Sequence, residues 1–195
     1  MASSNSNTTY AESQAAWRQW LSANHAIEKN VWLIIHKKGS QTPSVTYDEA
    51  VDEALCFGWI DSAVRKGTDK YYYQFFARRN PKSNWSRVNK AKVEKLTQAG
   101  LMTEAGLAMV ELAKQTGTWT ALDELEEGVC PPDLQARLNA NPTAKQYFDA
   151  FPRSVRRGIL EWLLNAKQAE TRARRIDEIV ILAERNERAN QYKSK

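Results

Sequence analysis

The sequence has few residues of the types that build metal sites and disulfide frameworks. Among its 195 residues the only cysteines and histidines are His25, His36, Cys56 and Cys130. Structural zinc sites and disulfide-rich domains need more of these residues, at short and regular spacings. The sequence therefore predicts no metal site, no cofactor and no disulfide. Cys56 stands next to Leu55 and Phe57, which predicts a buried free thiol.

The sequence also lacks long apolar runs. The longest pure runs have five residues, such as 31–35, whereas a membrane-spanning helix needs ~20. The first ten residues, MASSNSNTTY, contain neither the cationic start nor the apolar segment of a secretory signal. We therefore expect a cytoplasmic protein without membrane insertion, and a disordered tail over residues 1–9.

Positive charge is concentrated in one part of the chain. The formal net charge is +5, but residues 62–95 contain ten lysines and arginines and only two acidic residues. The rest of the chain is slightly acidic. Such clustering indicates one basic surface, and it makes an anionic ligand or a nucleic acid a candidate partner.

Three short segments rich in β-branched and aromatic residues predict strands. These segments are Val31–His36, Ile60–Arg65 and Tyr71–Ala77. The turn residues 67–69 separate the last two segments, which predicts an antiparallel hairpin. We expect a small antiparallel or mixed three-stranded sheet packed with helices.

Helical patterns fill most of the remaining chain. Thr46 and Glu49 have the spacing of a capping box, and Gly58 ends the helix that they begin. After Pro81 every periodic segment is helical. The sequence predicts an α+β fold with a domain over residues 10–117, an acidic connector over 118–130, and an all-helical C-terminal module over 131–190.

The stretch between Glu53 and Asn89 combines more aromatic, cationic and hydrogen-bonding side chains than any other. A strand that leads directly into a helix start brings such side chains together, and helix N-termini favour anions. We therefore expect one concave ligand-binding surface. Its predicted residues are Lys37, Asp61, Tyr73, Arg78, Arg79, Lys82, Ser83, Trp85 and Ser86.

Several of these residues have an alternative, structural interpretation. Asp61 is either a general base or a structural acceptor for the Lys37 ammonium, an arginine or a nearby backbone N–H, and the absence of a second catalytic partner favours the latter. Ser83 or Ser86 is either an anion donor or a helix N-cap. The aromatic residues of 71–76 either stack a ligand or pack beneath helices. We expect packing for most of them, with Tyr71 or Tyr73 as the ring that contacts a ligand.

Five stretches resemble the YdeI/OmpD-associated, or bacteriocin-protection, family. They are VWLIIHKK, TYDEAVDEALCFGWIDS, FARRNPKSNWSRVN, LTQAGLMTEAGLAMVELAKQTGTW and LEWLLNAKQAETRARRI. The family's names imply tolerance of bacteriocins or cationic peptides and an association with an outer-membrane porin. They imply no particular reaction.

Three functions are consistent with these observations. The leading one is a non-catalytic stress-tolerance protein that binds a small anionic or peptidic ligand at the junction between the hairpin and the next helix. The alternative is a nucleic-acid-binding module that uses the basic, aromatic-rich segment 62–95. The third is an enzyme acting on a small substrate with Asp61 as base. Nothing in the sequence specifies the ligand or the oligomeric state.

Overall fold

The described part of the chain begins with a strand that the sequence pattern did not reveal. The computed structural model describes residues 7–190. Its first elements are β1 (Thr8–Tyr10), α1 (Gln14–Asn24) and β2 (Asn30–His36). β1 pairs with β2 in parallel, so Thr8 and Thr9 do not belong to the expected disordered tail. Residues 1–6 of that tail lie outside the described residues.

A hairpin completes the sheet. The next elements are α2 (Tyr47–Cys56), β3 (Trp59–Lys66) and β4 (Tyr71–Arg78). The strand order is β1-β2-β4-β3, and β4 is antiparallel to both of its neighbours. The sheet is therefore mixed and has four strands, not the predicted three. Three residues are too few to show the alternation of a strand, and the partner of β1 lies beyond α1 in the sequence.

The buried core of this region lies on one face of the sheet. Val31, Leu33 and Ile35 alternate with less buried residues along β2, as a strand with one covered face requires. Phe76 faces the same side from β4 and is fully buried. These side chains belong to one cluster with residues of the helices, among them Trp17, Leu21, Val51, Ala54 and Leu55.

Within residues 7–190, two more helices belong to the first compact unit and five to the second. They are α3 (Arg87–Gln98) and α4 (Glu104–Thr116), followed by α5 (Asp123–Glu126), α6 (Pro132–Asn139), α7 (Pro142–Ala150), α8 (Arg153–Leu164) and α9 (Ala169–Glu184). The units divide between Ala121 and Leu122. All strands of the described chain end before Pro81, and the overall class is α+β, as predicted.

The predicted acidic connector, residues 118–130, is divided between the two units. Trp119 packs against the core of the first unit. Leu122 and Leu125 are buried in the core of the second, where they join residues such as Leu134, Phe148, Ile159, Leu163 and Ile179. Leu122 is the N-cap residue of α5 and Leu125 lies inside this helix. Helical spacing brings the two side chains to one face, where they pack into the core of the second unit.

The described helices are short. The longest, α9, has 16 residues, and within residues 7–190 no helix is both long and apolar enough to cross a membrane.

Candidate functional site

Strand alternation places a group of aromatic side chains on the sheet face opposite the core. Trp32 pairs with Phe75, and His36 pairs with Tyr71, in the register between β2 and β4. Phe76 faces the core, so its neighbour Phe75 faces the other way. Tyr73 and Tyr71, two and four positions before Phe75, face the same side as Phe75. We call this surface the aromatic face and define it by Tyr10, Trp32, His36, Arg65, Tyr71, Tyr73 and Phe75.

The rings of the aromatic face contact one another across the strands. The centroids of Tyr10 and His36 are 5.6 Å apart, and those of His36 and Tyr71 are 5.5 Å apart. Tyr71 and Tyr73 meet edge to face at 5.5 Å. Near the other end of the strands, Trp32 and Phe75 lie 4.9 Å apart. All of these separations fall in the range of favourable aromatic pairs.

Arg65 links the two groups of rings. It lies opposite Tyr73 in the pairing of β3 with β4. Its guanidinium carbon is 4.2 Å from the ring centroid of Tyr73 and 4.6 Å from that of Trp32. Both distances are typical of cation–π contacts. An exposed guanidinium held over two rings presents a flat cationic surface to a ligand.

The aromatic face is accessible to solvent. Tyr10 is 43% exposed, and none of the side chains that define this face within the described chain is buried. The expectation that helices cover most of the aromatic residues of 71–76 holds for Phe76, which is fully buried. It does not hold for Tyr71, Tyr73 and Phe75, because the core of the first unit occupies only one side of the sheet.

A lysine-lined cleft lies next to the aromatic face. It has a volume of about 560 Å³, and Lys37, Lys38 and Lys70 line it together with Asp69. The backbone of Lys37, which follows His36, donates a hydrogen bond to the carbonyl of Lys70 at 2.9 Å. The side chain of Lys37 donates to the Thr68 carbonyl at 3.4 Å. The cleft therefore places cations at the edge of the row of rings.

Asp61 lies on the opposite side of the sheet. It pairs with Phe76, and its carboxylate accepts hydrogen bonds from the Tyr47 hydroxyl at 2.8 Å and the Gln74 amide at 3.4 Å. Burial, and next the hydrogen bond to Asp61, raise the pKa of Tyr47 to about 12. Tyr47 is therefore protonated at neutral pH and donates to Asp61. Asp61 is therefore a hydrogen-bond acceptor within the fold, and the side chains that donate to it lie on α2 and β4.

Arg79 and Trp85 are buried in the loop between β4 and α3. Arg79 is only 6% exposed, its guanidinium lies 3.7 Å from the centroid of the Trp85 ring, and it donates to the Asn84 carbonyl at 2.6 Å. Burial lowers the pKa of Arg79 to about 10, which leaves it charged at neutral pH. Trp85 packs in turn against Trp119 at 5.0 Å. Both residues hold this loop to the fold.

The remaining residues of the predicted site also make local contacts. The backbone of Lys82 and the hydroxyl of Ser83 both bond to Asn80, which forms a turn. Ser86 accepts a hydrogen bond from the amide of Asn89 and is the N-cap of α3. Arg78 donates to the Glu28 carbonyl at 2.8 Å. Ser86 is therefore a helix N-cap, which is the second of its two interpretations.

Substitution of Ser86 by alanine tests the cap. We expect Ser86→Ala to lower the free energy of unfolding by about 1 kcal/mol, because the first-turn amides of α3 lose their acceptor. Ser22→Ala, at an exposed position inside α1, should leave stability within about 0.5 kcal/mol of the wild type. Urea denaturation followed by circular dichroism measures both. Equal losses in the two variants would argue against the cap.

The nine predicted residues do not form one concave surface. Tyr73 belongs to the aromatic face, and Lys37 lies beside it. Asp61 faces the other side of the sheet, and the segment 78–86 forms a separate, partly buried loop. Five members of the aromatic face are not among the nine predicted residues, namely Tyr10, Trp32, His36, Arg65 and Phe75. Arg65 and Phe75 do lie in the segment 62–95 that the alternative, nucleic-acid-binding function uses. The alternation within Val31–His36 could have identified two of the five, since it places Trp32 and His36 opposite the core residues.

Within residues 7–190, no group of three or more His, Cys, Asp or Glu side chains is positioned to hold a metal ion. The thiol of Cys56 is free and buried, as predicted, and burial raises its pKa to about 11.

Two family models match the chain. Residues 9–109, which include all of the aromatic face, match a domain of unknown function, DUF8412. Residues 127–186 match the family described as bacteriocin-protection, YdeI or OmpD-associated.

The predicted family resemblance is thus confirmed over the C-terminal region, which contains the stretch LEWLLNAKQAETRARRI. The stretches quoted from before residue 90 fall in the other match. No curated protein and no solved structure matches the chain. The C-terminal region is thus similar to the YdeI or OmpD-associated family, and the chain belongs to the family defined by DUF8412.

Proposed function

We propose that the aromatic face of the N-terminal unit binds single-stranded nucleic acid. The observation that carries this proposal is the accessible row of contacting rings, with Arg65 stacked over Trp32 and Tyr73. Large apolar rings are costly to leave accessible, and an accessible group of them marks a binding surface. Unpaired bases present flat faces that stack on aromatic rings and on arginine.

The dimensions of the face suit a short single strand. Three gaps between four neighbouring strands span about 14 Å. Sheets that bind RNA stack about two or three bases over such a width. The bases of a duplex are already stacked on each other, and a flat sheet cannot reach their faces. The proposal is therefore for single strands.

The surrounding charge supports the same partner. Lys37, Lys38 and Lys70 line the cleft at the edge of the aromatic face. Arg65 and Lys66 are exposed on β3. Cations beside stacking rings can contact the phosphates that connect the stacked bases. Of the ten cations of residues 62–95, Arg65 belongs to the aromatic face, Lys66 follows it on β3, and Lys70 lines this cleft.

Fluorescence anisotropy with labelled oligouridylate and oligothymidylate tests the stacking. We expect Tyr73→Ala to weaken binding about tenfold or more, because each stacked base contributes ~1–3 kcal/mol. Tyr147→Ala is the matched control, since Tyr147 is 36% exposed on α7 and lies outside the aromatic face. It should bind as the wild type does. Absence of binding by the wild type at low salt, or equal affinity of the two variants, would refute the proposal.

The salt dependence of the same titration tests the phosphate contacts. Affinity should fall log-linearly with salt concentration, and the double variant Lys37→Ala, Lys70→Ala should reduce the slope by about two. Tyr73→Ala should leave the slope unchanged. An affinity that does not respond to salt would point to a neutral ligand instead.

A second candidate is the stress-tolerance function that the resemblance implies. The match of residues 127–186 to a family described as bacteriocin-protection favours it. In this case a strain without the gene should become more sensitive to a cationic peptide, and a plasmid copy should restore tolerance. An anionic or peptidic ligand at the hairpin–helix junction has less support, because Ser86 caps α3 and Trp85 packs against Trp119. The Nε atom of Arg79 is buried without an acceptor, but its guanidinium lies against the Trp85 ring and donates to the Asn84 carbonyl. A catalytic role for Asp61 is weakened in the same way by Tyr47 and Gln74.

A further inference from the structure

A second feature with the properties of a binding site lies in the C-terminal unit. A cavity of about 400 Å³ opens between the loop that follows α5 and the helices α6, α7 and α8. Leu138, Phe148 and Leu160 form its apolar part. Three arginines form much of its polar part, and they are Arg153, Arg156 and Arg157. None of the residues that line this cavity belongs to the aromatic face or to the nine predicted site residues.

The arginines reach the cavity from one side of α8. Arg153, Arg156, Arg157 and Leu160 are spaced by three, one and three residues, which places them along one stripe of a helix. The first turn of α8 contains no acidic residue, and Pro152 supplies no side-chain cap. The positive end of the helix and the guanidinium groups therefore add to the same potential.

The three arginines differ in what they contact. Arg153 donates to the backbone carbonyl of Glu126. Arg157 lies 4.0 Å from the carboxylate of Glu126 and 3.7 Å from that of Glu161. The side chain of Arg156 has no hydrogen-bond or ion-pair partner among residues 7–190, and its Nε atom is buried without an acceptor. The Nε atom of Arg79 in the first unit is also buried without an acceptor, but its guanidinium donates to the Asn84 carbonyl. The buried donor of Arg156 calls for an acceptor that the chain does not itself supply.

The other polar groups of the cavity leave room for an anion. Asp149 is neutralised by Lys145 at 2.7 Å, and Glu127 is exposed to solvent. Burial raises the pKa of the Cys130 thiol to about 11, so this group is uncharged at neutral pH and does not repel an anion. The Gln135 amide donates to Asn139. Cationic groups therefore dominate the cavity.

We propose that this cavity binds a small organic anion whose carboxylate or phosphate group is held by Arg156 and whose apolar part lies against Leu138, Phe148 and Leu160. The planar guanidinium group offers parallel N–H donors that match either oxyanion. A ligand pocket of this kind combines an apolar wall with a few placed polar groups, and the volume is sufficient for a molecule with a single ring. The site is separate from the aromatic face, so the two proposals stand or fall independently.

Isothermal titration calorimetry of the full chain with benzoate, phenyl phosphate and inorganic phosphate tests the proposal. We expect at least one of the two organic anions to bind at a single site. The one that binds more tightly identifies the head group. Inorganic phosphate should bind several-fold more weakly than phenyl phosphate, because it lacks the apolar part. Binding of neither organic anion would overturn the proposal, and equal affinity for the two phosphates would overturn the apolar half of the site.

Variants locate the binding. Arg156→Gln should weaken it at least about tenfold, as expected when one charge-assisted contact is lost. Arg174→Gln removes an exposed arginine of α9 that does not line the cavity, and it should leave the affinity unchanged. Arg156→Lys keeps the charge but not the planar donors, so its affinity should be intermediate, and it provides a second test if the glutamine variant folds poorly. Wild-type affinity in both Arg156 variants would exclude this site.

Discussion

Replacement of Trp59 by alanine is expected to lower the free energy of unfolding of the N-terminal unit by about 3–5 kcal/mol. Trp59 is 1% exposed at the start of β3, and its ring meets that of Trp20 edge to face at 5.9 Å. Its indole N–H donates to the His25 carbonyl at 3.3 Å. The substitution therefore leaves a large cavity and an unpaired carbonyl at the contact between the sheet and α1.

Trp32→Ala is the matched control for this experiment. Trp32 is the same residue type, but it lies half-exposed on the aromatic face. Its truncation opens no enclosed cavity, so the loss of stability should be clearly smaller. Urea denaturation followed by circular dichroism compares the two without relying on tryptophan fluorescence. A Trp59→Ala midpoint equal to that of the wild type would show that the side chain does not belong to the core.

Replacement of Gly106 by alanine is expected to destabilise the protein by about 1–3 kcal/mol, although alanine is the better helix former. A Cβ atom at Gly106 would lie 2.2 Å from the carbonyl oxygen of Cys56. That oxygen also accepts bonds from the backbone and hydroxyl of Thr103, at 3.1 and 2.6 Å. The start of α4 is thus held against the end of α2, and only glycine permits this approach.

Gly158→Ala should have the opposite effect. Gly158 lies inside α8, and a Cβ atom added there would meet nothing within 4 Å. Alanine should therefore stabilise that helix by up to about 1 kcal/mol through its helix propensity. Thermal melts of the two variants should shift in opposite directions. A stabilised Gly106→Ala variant would show that α4 can move away from α2 at little cost.

The elements that could be predicted from the sequence are those specified by residues that lie close together in the chain. Thr46 and Glu49 form the capping box at the start of α2, and both of its hydrogen bonds are present. Gly58 ends that helix with φ of 73°, a conformation that glycine adopts without strain. The hairpin of β3 and β4 follows from two alternating segments around a turn. Each of these patterns lies within a short continuous stretch of the chain, the longest being the hairpin Trp59–Arg78.

The candidate site depended on strand register and on contacts between residues that are distant in the sequence. Asp61 and Tyr73 are close in the sequence, but strand register places them on opposite faces of the sheet. Arg79 is a residue type that often contacts anionic ligands, yet the ring of Trp85 and the Asn84 carbonyl hold it inside the fold. The residue types at the hairpin–helix junction therefore predicted ligand contacts for side chains that make contacts within the fold instead.

The amino-acid sequence by itself determined the start and end of α2, the two strands of the hairpin, the α+β class, the basic character of residues 62–95, and the buried free thiol of Cys56. The tertiary structure alone decided that β1 joins the sheet, that the helices of the first unit cover one face, and that Arg65 comes to lie over Trp32 and Tyr73. The physical reason is the range of the interactions. Capping, turns and periodicity act between near neighbours, whereas the pairing of strands and the covering of a face depend on which distant segments bury the most apolar surface together.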